Sequence, residues 1–140
     1  MMCVVMAVVA CSADPAMRAD PSNARQVASG KAVYDQACAA CHGVNLEGQP
    51  EWRSRLPNGR MPAPPHNDSG HTWHHADEIL FGITKFGLTP PYGPAAYQSD
   101  MPAFGPTLSD QQIWDVLAYI KSRWSPRVRE TQSKIPRKGG

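Results

Sequence analysis

A chain of 140 residues has room for one compact domain, and dividing it would leave each half short of core. The net charge of +2 with His neutral excludes the strongly basic profile of a nucleic-acid-binding protein. Fourteen Pro and eleven Gly call for much loop while 41% hydrophobic residues still permit a core, so short helices around a further apolar body are expected.

The first segment, Met1 to Cys11, reads MMCVVMAVVAC. It is far shorter than the ~20 residues that span a bilayer and reads as the apolar part of an export signal over 1–10. Val8-Val9-Ala10-Cys11 resembles a bacterial lipobox, which implies lipidation at Cys11 and an anchor on the membrane. No Lys or Arg precedes Arg18, so the usual positive n-region is missing; an ordinary signal peptide cut nearby and a truncated membrane anchor are the alternatives. Residues 11–23, with Asp14, Pro15, Asp20 and Pro21, read as a flexible tether. Either reading of the leader places the domain, expected over 24–125, on the periplasmic side of the cell envelope.

Ser22 is the expected N-cap of a first helix running to about Cys41. Val27, Gly30, Tyr34, Ala37 and Cys41 recur at steps of three and four and mark one face. A Gly on that face costs about 1 kcal/mol against Ala, which a second helix crossing closely would explain. From Gly43 to His75 the chain is rich in Pro, Gly and Asn and shows no period. So long a loop is tolerable if it packs on a cofactor edge. A shorter helix is expected over about Ala76 to Phe86, with Asp77 and Glu78 in its first turn and Ile79, Leu80 and Ile83 facing inward. Ser109 and Gln112 have capping-box spacing, and Ile113, Val116, Leu117, Ile120 and Trp124 then form an apolar stripe that Pro126 ends. Residues 126–140, with Arg127, Arg129, Lys134, Arg137 and Lys138, read as a basic disordered tail. No strand signal emerges, so the fold class is all-α, with three to four short helices and long loops.

Chemistry concentrates in Cys38-Ala39-Ala40-Cys41-His42, a C-x-x-C-H haem attachment motif. Two Cys at i and i+3 share a helix face and can form two thioethers to one porphyrin edge. His42 follows directly and offers an imidazole nitrogen to the iron, which implies one covalent haem c. A thioredoxin-like redox pair would need a preceding strand, and a zinc site would need further ligands. Cys3 and Cys11 give no disulfide framework.

The sixth iron ligand is expected from Met101, in Ser99-Asp100-Met101-Pro102, where Pro102 holds the chain extended. Met61, also followed by Pro, is an alternative, as are His66, His71, His74, His75 or an open position. A neutral thioether favours ferrous iron. His71-Thr72-Trp73-His74-His75 could hold a second metal, but no carboxylate or thiol cluster accompanies it, so capping of the next helix or bonding to a propionate is preferred.

With these residues in place the chain resembles the class I, or monohaem, c-type cytochromes over about Ala24 to Trp124. The resemblance implies a first helix entering C-x-x-C-H, a ligating Met some sixty residues on, and terminal helices crossing near-perpendicularly. Met101 lies 59 positions after His42, which favours it over Met61. Gly30 with Tyr34, and Ala118 with Tyr119, match the family's contact at the helix crossing. The segment Glu47 to Trp73 looks like the extended loop of some bacterial periplasmic members. In the family a Pro carbonyl accepts from the proximal imidazole, and Pro50 is the nearest candidate after the motif. The function implied is one-electron transfer between respiratory redox partners (complexes, oxidases or reductases), with no small-molecule substrate and no enzymatic activity. The alternative is a haem sensor or peroxidase-like protein with a displaceable sixth ligand.

Overall fold

The computed structural model describes residues 17–136. The expected export segment, Cys11 and the first part of the tether lie outside the described residues. Five α-helices and one 3-10 turn occur among them, with no strand: α1 (Ala24–Ala37), α2 (Ala39–His42), the turn Thr72–His74, α3 (Asp77–Phe86), α4 (Asp110–Ser122) and α5 (Pro126–Ser133). This is an all-α fold. None of these helices is long and apolar enough to cross a membrane.

The first helix begins one residue later than its expected cap. Asn23 is the N-cap and its side chain accepts from the backbone N–H of Arg25 and Gln26, whereas the Ser22 hydroxyl donates to Asp20. The end of the expected tether is part of the domain. Ala19 sits in the core, and Gln26 bonds the backbone at both Arg18 and Asp20. The single helix expected through Cys41 is two, because the helix is interrupted at Cys38, whose φ of −117° is stretched from the helical value, and resumes for one turn.

The core sits where α1 crosses α4. Gly30 is buried at the crossing, and a Cβ there would collide with the Asp115 carbonyl and meet the Tyr119 Cβ at 3.0 Å. Gly is therefore the residue that lets the two backbones touch, as the pattern led us to expect. Tyr34 packs beside it on Tyr119, with ring centroids 5.3 Å apart. The α4 stripe of Ile113, Val116, Leu117 and Ile120 is buried, and the Ser109–Gln112 capping box is formed in both directions.

The region expected to be a disordered tail is corrected. Pro126 does follow the end of α4, but it also occupies the first turn of α5, where its missing N–H costs nothing. Ser125 caps that helix, Val128 is 1% exposed, and Gln132 bonds Asp77 and the His75 carbonyl. Burial of one apolar and one amide side chain is enough to dock two turns of helix.

Candidate functional site

The attachment motif lies where α1 breaks into α2. Cys38 N–H donates to the Tyr34 carbonyl, closing α1, while the Cys38 carbonyl accepts from Cys41 and His42 and starts the next turn. Neither cysteine is in a disulfide; Cys38 is partly buried and Cys41 exposed. Burial, with Cys41 nearby, pushes the Cys38 thiol up to about 11, so it is held protonated. Gly43 follows at φ +80°, and the Tyr34 hydroxyl donates to its carbonyl at 3.1 Å. Burial also holds the Tyr34 hydroxyl well above its ordinary range, which keeps it a donor.

His42 is only 7% exposed. Its Nδ1 lies 2.8 Å from the Pro64 carbonyl, which fixes Nδ1 as the protonated nitrogen and leaves Nε2 with its lone pair. Burial lowers the His42 pKa, against the Pro64 bond, so the ring is neutral. Two cysteine sulfurs and an imidazole with one free nitrogen, on one short helix and its N-cap, are the donor set that a haem c requires. The residues present fit that group.

Pro64, not Pro50, supplies the carbonyl. The loop after the motif folds back so that residues 22 positions apart meet. His66 N–H donates to the Leu46 carbonyl at 2.9 Å, and its own carbonyl accepts from Trp124 Nε1 at 2.7 Å. Leu46 is buried at φ +65°, an uncommon conformation for a residue with a side chain, held by these bonds and its burial. The long loop thus packs on chain at Leu46 and Trp124. The His66 ring stacks on His42, with centroids 3.8 Å apart and planes 17° from parallel. Its Nδ1 is buried without a partner, and desolvation, then His42 and His71, hold its pKa well below the usual value. Sequence pattern alone gives neither Pro64 nor His66 this place; the only local signal is the Pro-Ala-Pro-Pro-His run itself.

Met101 lies partly buried in a separate loop. Its N–H donates to Ser99 Oγ, and the strap is fastened beyond it where Phe104 and Gly105 N–H donate to the Thr84 and Lys85 carbonyls of α3. Arg60 pairs with Asp100, so the chain neighbours of Met61 and Met101 are joined directly.

The His71–His75 segment forms no metal cluster; none is present among the described residues. His71 stacks on Trp52 and His74 on Trp73, and Arg53 lies over the Trp52 ring at 4.2 Å. No side chain caps α3, whose N-cap is Ala76. The capping role expected of these His is therefore corrected.

The Cytochrome c family model matches residues 27–124. Cytochrome c-555 of Prosthecochloris aestuarii is 30% identical over 100 residues, covering 67% of this chain and 84% of that protein. The gluconate 2-dehydrogenase cytochrome c subunit of Pantoea cypripedii is 29% identical over 103 residues, 74% of this chain but only 22% of that subunit. No solved structure matches the chain.

Proposed function

The chain belongs to the cytochrome c family, whose members carry covalent haem c and transfer electrons, and from that footing we propose how its residues do so. Cys38 and Cys41 would hold the group through two thioethers, and His42 and Met101 would be its two iron ligands. Each thiol would add across a vinyl double bond, sulfur to one carbon and hydrogen to the other, so nothing would leave. When bound, the haem supplies a reversible one-electron couple at iron. Burial favours the neutral His42 ring, Pro64 orients it, and the strap fastened to α3 limits the movement of Met101. Axial donors kept in both oxidation states leave little to reorganise and no position for substrate. The observation that carries this reading is the His42 Nδ1 bond to the Pro64 carbonyl, beside Cys38 and Cys41 on the same turn.

The partners are redox proteins of the respiratory membrane. The likeness to a dehydrogenase cytochrome subunit supports a dehydrogenase as donor. Long-range steering by a chain of net charge +2 weakens with salt. Export by residues 1–10 and lipidation at Cys11 would hold the domain on the periplasmic face of the membrane and raise its effective concentration there.

Two measurements test the proposal. Haem in the purified protein should survive acid–acetone extraction; its release would sink the thioether assignment. The oxidised protein should show the weak far-red band of Met-ligated ferric haem, lost in Met101→Ala and kept in Met61→Ala. The reverse pattern would move the ligand to Met61. A high-spin spectrum with rapid CO binding in the unsubstituted reduced protein would favour an open-site sensor instead.

A further inference from the structure

An axial imidazole has two ways to move once its Cβ is placed. It can swing in its own plane, and it can roll about the axis of any hydrogen bond it makes. In this protein the Pro64 carbonyl, 2.8 Å from His42 Nδ1, limits the swing. It does little against the roll, because carbonyl oxygens accept over a broad range of directions. What stops the roll is a flat surface against the ring face, and His66 presents one at a centroid distance of 3.8 Å, 17° from parallel.

His66 is itself firmly held. Its backbone N–H is bound to Leu46, its carbonyl to the Trp124 indole, and its ring makes a T-shaped pair with Tyr34, centroids 5.9 Å apart and planes at 68°. The backbone of residues 64–65 is clamped between Gly48 and Gly70. A Cβ on Gly48 would strike the Pro64–Pro65 peptide, and one on Gly70 would strike the Pro65 carbonyl. Three loop residues therefore deliver both restraints, Pro64 on the edge of the imidazole and His66 on its face.

We propose that His66 is a positioning residue for the axial imidazole, fixing by its stacked ring the plane in which His42 meets the iron. This rests on the reading of His42 as axial ligand. The function belongs to the flat ring, so an aromatic of another kind preserves it and a branched aliphatic does not.

The test uses the oxidised holoprotein with His66→Phe and His66→Leu. The proton NMR shifts of the haem methyl groups depend on the direction of the axial imidazole plane, and a merely structural residue would leave their order alone. His66→Leu should reorder them and shift the midpoint potential, and His66→Phe should restore the wild-type order. Should His66→Leu fail to accumulate, His66→Gln, which keeps polarity but no ring, is read in the same way. Haem attached and methyl order unchanged without the ring would overturn the proposal, as would equal change in the Phe and Leu variants. Absence of covalent haem from the unsubstituted protein would overturn the attachment reading, and the positioning role with it.

Discussion

At Gly30 two opposed effects meet, and their sizes decide the outcome of substitution. Replacing Gly by Ala inside a helix ordinarily gains about 1 kcal/mol. Here the new methyl would enter the space of the Asp115 carbonyl, which belongs to the backbone of α4 and cannot rotate aside. Forcing two packed helices apart costs about 3 kcal/mol, so the collision wins. Gly30→Ala should lower stability by about 2 kcal/mol, read as a fall in the urea midpoint; an unchanged or higher midpoint would show that the crossing has slack. Residues of this kind are legible from sequence, since a Gly on an otherwise apolar helix face points to a close backbone crossing. The same holds for Cys38, Cys41 and His42, whose spacing carries its own geometry. Pro64 and His66 are different: each acquires its partner only when a loop closes over some twenty residues, and nothing local distinguishes Pro64 from Pro50.

Among the elements, α3, α4 and α5 share one polar knot. Lys121 Nζ donates to both carboxylate oxygens of Asp77, at 2.8 and 2.6 Å, and Gln132 Nε2 donates to Asp77 at 2.7 Å. The side chains of the ion pair are only 10% and 14% exposed. Removing one charge leaves the other desolvated and alone, which costs a few kcal/mol for a buried pair. Asp77→Asn should therefore lose about 2 kcal/mol in denaturant unfolding, whereas Asp35→Asn, at the exposed i,i+4 pair with Lys31, should leave the midpoint where it is. Equal effects would mean that the knot is wet. This knot also explains why α5 escaped the sequence reading. Its first residue is Pro, its charge is basic and its apolar face is little more than Val128, so the pattern resembles a tail. What holds it is a bond to Asp77 of another element.

The whole molecule carries a pH dependence through its histidines. Burial, and the neighbouring His and Arg53 charges, hold the His71 pKa below its ordinary value, and burial with His74 does the same for His75. The unfolded chain binds protons at these sites near pH 6.5, before the folded one does. Their contribution to stability is thus fully present above about pH 6.5 and is lost as pH falls from there towards the lower folded values. The urea midpoint should rise with pH across that window, and a His71→Gln, His75→Gln double variant should reduce the rise, leaving the share of His66. A slope untouched by the substitutions would put the dependence elsewhere. At this scale the sequence by itself determined the helices with strong local signals, a close helix crossing at Gly30 and the attachment motif, because caps, apolar period and C-x-x-C-H spacing are written within one or two turns; that α4 is the crossing helix was implied by the family resemblance. Only the tertiary structure decided which proline faces His42, what stacks on that ring, that residues 17–23 join the domain, and that α5 docks. Those contacts join residues far apart in the chain, and they form where shared burial offsets the entropy cost of closing a loop, which no local pattern records.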